Sequence, residues 1–132
     1  MRAAILALTL LAIGAAPALA DAIDCDRNDQ SQLGMNMCAA ADAAKSDALL
    51  NQLYKKLAAK AEDKERTALR DAQRAWIAFR DKECTYETVG EEGGSIRPME
   101  YSLCVKARTD DRIKDFRKFL ECAPSDLSCP AK

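Results

Sequence analysis

Residues 73–84 read Gln-Arg-Ala-Trp-Ile-Ala-Phe-Arg-Asp-Lys-Glu-Cys, an amphipathic pattern that predicts one helix segment. Trp76 stands among apolar residues in its middle and is expected to anchor a core. Arg80 follows one turn later, where its guanidinium group can lie on the indole ring. Gln73 and Arg80 share the inner face of this helix. We interpret Gln73, Trp76, Arg80 and Asp81 as a group that specifies the fold through a buried polar network, not as a catalytic group.

The sequence around this segment predicts three helices and no strand. The first begins after Ser31, an N-cap residue, and runs to about Lys60. A turn at 61–64, with Asp63 capping the second helix, is expected because an unbroken helix would be about 80 Å long and find no partner of that length. The second helix runs to about Thr85. A glycine-rich loop then precedes a third helix, which has Pro98 in its first turn and ends near residue 122.

Residues at helical spacing on the three helices are expected to meet in one core. The spacing therefore predicts an all-α fold, a small antiparallel three-helix bundle. The expected inward-facing residues are Met35, Cys38, Leu49, Leu50, Leu53, Tyr54 and Leu57, then Leu69, Gln73, Trp76, Phe79 and Arg80, then Met99, Leu103, Val105, Ile113, Phe116, Phe119 and Leu120.

Residues 1–20 have the pattern of a cleavable signal peptide. Arg2 precedes an apolar run, Pro17 breaks that run, and residues 18–20 read Ala-Leu-Ala. The mature protein is expected to begin at Asp21, with a helical domain over 21–122 and a tail over 123–132. Asp21 follows the expected cleavage site, and Asp24 precedes the first cysteine, which argues against lipid attachment. The pattern predicts a periplasmic or secreted protein with no membrane anchor in its mature form.

Six cysteines follow this segment, and an even count in an exported chain predicts three disulfides. They are Cys25, Cys38, Cys84, Cys104, Cys122 and Cys129. Along the third helix, Cys122 lies roughly 27 Å from Cys104, too far for a disulfide, so its expected partner is Cys129.

The other four cysteines gather at one end of such a bundle and allow three pairings. We favour Cys84–Cys104, which closes the base of the glycine loop, together with Cys25–Cys38. The crossed pairs Cys25–Cys84 and Cys38–Cys104 remain open. The spacing contains no C-x-x-C pair and the chain has no histidine, so no metal site is predicted.

The composition argues against several classes of function. With 20 basic and 21 acidic residues the chain lacks the clustered positive charge of a nucleic-acid-binding protein. Its acidic residues are scattered among lysines and arginines, as on a solvated helix face, and its paired cysteines offer no free thiol. We therefore predict no catalytic residue and no cofactor.

Residues 73–84 resemble the signature of the LprI-like lysozyme-inhibitor family of bacterial envelope proteins. Further matching segments occur in the same order, and together they cover about residues 25–120: residues 32–38, the D-x-x-L-N-x-x-Y-x-x-L motif at 47–57, Gly93-Gly94-Ser95, Cys104, Thr109 and Arg112. The resemblance implies a small disulfide-linked helical domain that inhibits lysozyme-like muramidases. The member that names the family is a lipoprotein, whereas this chain lacks the lipid-bearing cysteine.

The loop over residues 86–97 is the predicted binding surface, because loops on a rigid scaffold commonly carry function. A disulfide at its base would order it before binding and lower the entropic cost of association. Acidic side chains there can meet a basic enzyme or occupy a cleft that holds a glycan. The alternative for this loop is a solvated connection without a binding role. The alternative for the protein is a non-inhibitory cell-envelope structural or protein-interaction module. The candidate binding residues are Glu87, Glu91, Glu92, Ser95 and Arg97.

Overall fold

A computed structural model describes residues 24–123, 126 and 129. Three helices account for most of them: α1 (Gln32–Lys60), α2 (Asp63–Glu87) and α3 (Arg97–Glu121), with a short 3₁₀ turn at Val89–Glu91. These residues contain no strand, so the predicted all-α fold of three helices is confirmed. The predicted signal peptide, residues 1–20, lies outside the described residues. No helix in the described part of the chain combines the length and apolar character needed to cross a bilayer.

Capping interactions explain where α1 begins and where α2 follows it. The Ser31 hydroxyl accepts a hydrogen bond from the Gly34 backbone N–H at 3.1 Å, as expected of an N-cap residue. The predicted cap of α2, Asp63, is wrong by one residue. Glu62 is the N-cap, and its backbone N–H donates to the Glu65 carboxylate at 3.0 Å.

The centre of the core lies between α1 and α3. Leu50 and Leu53 of α1 pack against Ile113 and Phe116 of α3, and the Phe116 side chain is fully buried. Tyr54 packs on Phe116 with ring centroids 6.5 Å apart. Burying a large apolar side chain stabilises a fold by roughly 1.5–3 kcal/mol. This pair of helices therefore supplies most of the hydrophobic stability.

Helix α2 buries much less of its surface. Its buried residues are Gln73, Arg80 and Cys84, and two of these are polar. The expectation that Phe79 faces inward is wrong, since its side chain is 54 % exposed. Phe79 follows Gln73 by six residues, about 120° around the helix, so the two cannot share one face.

Two further residues that were expected in the core lie at the surface. Met35 is 37 % exposed and Leu103 is 45 % exposed. Both line a shallow surface groove of about 270 Å³ beside the first disulfide. The groove shows that the bundle does not close tightly at this end, which the helical period alone cannot reveal.

The cysteines form Cys25–Cys38, Cys84–Cys104 and Cys122–Cys129, with Cα atoms 4.8, 5.6 and 5.7 Å apart. These are the pairs that the sequence favours over the crossed alternative. Cys84–Cys104 joins the end of α2 to the first turns of α3, and Cys84 is fully buried. This disulfide therefore fixes both ends of the segment that joins α2 to α3.

Candidate functional site

Arg80 lies at the centre of a polar network that joins all three helices. Its Nη1 donates to Asp47 of α1 at 2.7 Å and to the Thr109 hydroxyl of α3 at 3.0 Å. Its Nε donates to Asp81 at 2.9 Å, and its guanidinium carbon lies 5.3 Å from the centre of the Trp76 ring. Burial alone would lower the pKa of Arg80. The hydrogen bond to Asp81 and the charge of Asp47 outweigh this effect, so the pKa lies above its ordinary value. Arg80 therefore stays charged and orients α2.

A second cation, Arg112 of α3, covers the other side of this network. Its guanidinium carbon lies 5.8 Å from the Trp76 ring and 4.7 Å from the Phe116 ring. Its Nε donates to Gln73 Oε1 at 3.4 Å, while Gln73 Nε2 has no hydrogen-bond partner in the described part of the chain. The four residues of the sequence motif thus lie together between the helices. We interpret them as scaffold, because Gln73 and Arg80 are buried and their contacts hold α2 to α1 and α3.

Two more polar contacts fix the relation of α1 to its surroundings. The Ser46 hydroxyl donates to Asp110 at 2.7 Å, and Lys106 Nζ donates to the same carboxylate at 2.6 Å. Burial pushes the pKa of Asp110 upward, but the hydrogen bonds from Lys106 and Ser46 outweigh it and hold that pKa below its ordinary value. A hydrogen bond from Arg27 likewise lowers the pKa of Asp42.

The segment between α2 and α3 is held at both sides. The buried Thr88 hydroxyl donates to the Cys84 carbonyl at 2.8 Å, beside the disulfide. On the other side, Asn36 of α1 donates to the Ser95 carbonyl at 3.0 Å. Gly93 has φ of 81°, a conformation that glycine adopts without strain. The segment is therefore a fixed surface feature.

The structure brings only some of the predicted binding residues together. Glu87 and Glu91 line one shallow cleft of about 320 Å³, and Glu100 of α3 lines it too. Glu87 forms an ion pair with Arg108 of α3, so its charge is already partly neutralised. Among the described residues, the ion pairs at this end join Arg108 to Glu83 and Glu87 and include neither Glu91 nor Glu100.

The remaining three predicted residues lie outside this cleft. The side chains of Glu92 and Ser95 are exposed, and Arg97 is the first residue of α3. Glu92 has no cationic partner in the residues that the structure describes. The candidate site is thus an acidic edge formed by Glu91, Glu92 and Glu100. Glu87 lies beside it, but its charge is partly neutralised by the ion pair with Arg108.

Sequence reasoning missed the apolar part of this surface. Tyr86 and Val89 are 76 % and 55 % exposed, and Ile96 and Leu103 also present their side chains to solvent. Exposed apolar patches that are rimmed by polar residues are typical of surfaces that bind another protein. The available signal was Val89 and Ile96, two apolar residues within an otherwise polar loop.

A metal site is not supported by the described residues. The one cluster of three potential ligands found there is Cys122, Asp126 and Cys129. Its two sulfur atoms are joined in a disulfide, whereas metal binding by cysteine requires the free thiolate.

Comparison with known proteins gives two matches. The family model described as "Lysozyme inhibitor LprI" matches residues 24–116. A protein of Rhizobium meliloti (strain 1021), "Uncharacterized protein R02472", is 38 % identical over an alignment of 137 positions that covers 93 % of this chain and 99 % of that protein. No solved structure matches the chain significantly.

Proposed function

This chain belongs to the LprI family of lysozyme inhibitors, and we propose that it is an exported inhibitor of lysozyme-type muramidases. Three disulfides fit an oxidising compartment outside the cytoplasm. The signal-like residues 1–20 support export by cleavage of that segment. In this proposal the mature protein starts at Asp21 and acts in the periplasm or the medium.

Inhibition is proposed to be steric, with the segment over residues 86–97 occluding the glycan cleft of the enzyme. The observation that carries this proposal is the fixed acidic edge beside the Cys84–Cys104 disulfide. Its backbone is anchored to α1 through Ser95 and to α2 through Thr88. A surface that is already ordered loses less conformational entropy on binding, which favours tight association.

The acidic edge and its apolar neighbours have separate roles in this mechanism. Free carboxylates at Glu91 and Glu92 attract a basic muramidase and speed the encounter. Val89 and Tyr86 supply apolar area that loses water when the complex forms. Glu87 contributes less directly, because its ion pair with Arg108 holds the end of α2 against α3.

A cell-wall lysis assay with purified, oxidised residues 21–132 and a c-type lysozyme tests the proposal. The informative variant is Glu91→Lys with Glu92→Lys. The matched control is Asp111→Lys with Glu121→Lys, which changes the net charge equally but lies farther along α3. We expect the first variant to raise the inhibition constant at least about tenfold and the control to change it little, since like charges oppose association.

Two outcomes would change this reading. Unaltered inhibition by the Glu91 and Glu92 variant would remove the acidic edge from the mechanism. Absence of inhibition by the unmodified protein at large molar excess would withdraw that enzyme class as the target. The non-inhibitory interaction module would then become the leading function, to be sought by co-purification with envelope proteins.

A further inference from the structure

Helix α2 carries an exposed apolar stripe that no described part of the chain covers. Ala68, Ala72 and Ala75 are exposed, and Phe79 is 54 % exposed. These residues follow one another at intervals of four, three and four, so they form one line along the helix. The line lies about 120° from the inner face that holds Gln73 and Arg80. It is therefore separate from the polar network.

The same line ends in charges of opposite sign. Glu65 precedes Ala68 by three residues, and Lys82 follows Phe79 by three residues. A second α2 helix laid antiparallel, with Ala72 opposite Ala75, brings Phe79 opposite Ala68. The same register brings Lys82 opposite Glu65. Two-fold symmetry repeats every one of these contacts, so the stripe is complementary to itself in size and in charge.

We propose that the stripe is a homodimer interface, in which α2 packs antiparallel against α2 of a second copy. The three alanines let the helix axes approach closely at the centre, where the side chains are smallest. The Phe79 ring of each copy then lies over Ala68 and Ala72 of the other. Those two alanines line an open apolar groove of about 680 Å³ with Leu69 and Phe119, which offers room for the ring.

The charged residues of the stripe are free to make these contacts. Lys82 is exposed and forms no ion pair within the described residues. Glu65 accepts the backbone N–H of Glu62 through one oxygen, which leaves its other oxygen available. Arg80, which holds α2 in its own protomer, lies on the inner face about 120° from the stripe. Dimerisation therefore leaves the fold of each copy unchanged.

The size of the stripe sets the strength of this association. From Glu65 to Lys82 the stripe is about 26 Å long, and a contact strip about 10 Å wide along it covers roughly 260 Å² per copy. A stable interface commonly covers about 800 Å² per copy. An interface well below this size is typical of weak, transient association, so the dimer is expected to dissociate reversibly within the micromolar to millimolar range that sedimentation covers.

Sedimentation velocity on oxidised residues 21–132, from about 10 µM to 1 mM, measures this equilibrium directly. Phe79→Asp is expected to raise the dissociation constant at least about tenfold, because two rings lose burial in each dimer. Lys82→Glu is expected to weaken the dimer as well, since it places like charges opposite Glu65. Arg74→Glu is the control: it makes the same charge change on α2 away from the stripe.

A charge exchange tests the antiparallel register itself. The double variant Glu65→Lys with Lys82→Glu restores opposite charges at both ends, so its dissociation constant is expected within about threefold of the unmodified value. Circular dichroism of each variant checks that the helices are retained, because Glu65 also takes part in capping α2.

Three results would overturn the proposal. A monomer at every concentration up to about 1 mM would leave the stripe open to a different partner. A dimer that Phe79→Asp does not weaken would place the interface on another face. A double variant as weak as Lys82→Glu alone would exclude the antiparallel register. None of these readouts depends on muramidase inhibition, so the two proposals succeed or fail separately.

Discussion

Replacement of Arg80 by alanine is expected to destabilise the fold strongly, although Arg80 itself contacts no residue of the acidic edge. The Arg80 side chain is 9 % exposed and contacts Asp47, Asp81, Thr109 and Trp76. Alanine removes all four contacts together. Thr109 is fully buried and keeps only a 3.4 Å hydrogen bond to Asp47, so its hydroxyl group loses its better partner.

The magnitude follows from the exposure of each partner. Breaking a buried ion pair costs about 3–5 kcal/mol. Here Asp47 and Asp81 are 41 % and 46 % exposed, so water recovers part of their solvation and the lower end applies. The lost contact with Trp76 adds roughly 0.5–1 kcal/mol. We expect the free energy of unfolding to fall by about 3.5 kcal/mol. With a urea dependence of roughly 1.5 kcal/mol per molar, the midpoint falls by about 2 M.

Equilibrium urea unfolding of the oxidised protein, followed by circular dichroism, measures this loss. Arg108→Ala is the matched control, because it removes an arginine from the exposed ion pair with Glu87, and such pairs contribute little. Arg80→Lys is expected to resemble Arg80→Ala, since an ammonium group cannot reproduce the planar set of contacts. Equal midpoints for Arg80→Ala and Arg108→Ala would refute the view that the polar network fixes α2.

Three other perturbations test separate parts of the structure. The lowered pKa values of Asp42 and Asp110 contribute stability that is present at neutral pH and is lost as the pH falls below about 4 through those folded-state values. With no histidine in the chain, urea midpoints between pH 5 and 8 should stay level, and a marked slope there would contradict this assignment. Replacing Cys84 and Cys104 together by alanine should lower the free energy of unfolding by about 3 kcal/mol in the chain-entropy model. It should also increase amide hydrogen exchange over residues 86–97. Unchanged exchange would show that the disulfide does not order that segment. Thr109→Val keeps the shape of the side chain and removes its hydroxyl group. The free energy of unfolding, measured by thermal unfolding, is expected to fall by about 1 kcal/mol. An unchanged value would mean that Arg80 does not need this acceptor.

Local signals in the sequence predict much of this fold. Ser31 marks the start of α1 because an N-cap acts through its own hydroxyl. The favoured pairing of Cys84 with Cys104 follows from their positions on either side of one loop. Both features depend on residues that are near in sequence. Neither requires knowledge of how the helices are rotated about their axes.

Features that depend on helix rotation and tertiary contact could not be predicted in the same way. Phe79 lies in an apolar pattern, yet it is exposed because Arg80 and Gln73 set the face that α2 turns inward. Glu87 was predicted as a binding residue, but α3 places Arg108 beside it. A single sequence contains both residues of such a pair and does not show that they meet.

The contacts that hold α2 to α1 and α3 within one chain are largely polar, and this governs how mutations in this protein should be interpreted. Since α2 buries so little apolar area, its position depends on Arg80 and on the Cys84–Cys104 disulfide. The acidic edge follows directly from the end of α2, so a variant of Arg80 would lose binding by displacing that edge. Such a loss should track the unfolded fraction and recover on cooling within the stable range. A loss caused by Glu91→Lys with Glu92→Lys should persist at unchanged stability, and this difference separates scaffold residues from contact residues.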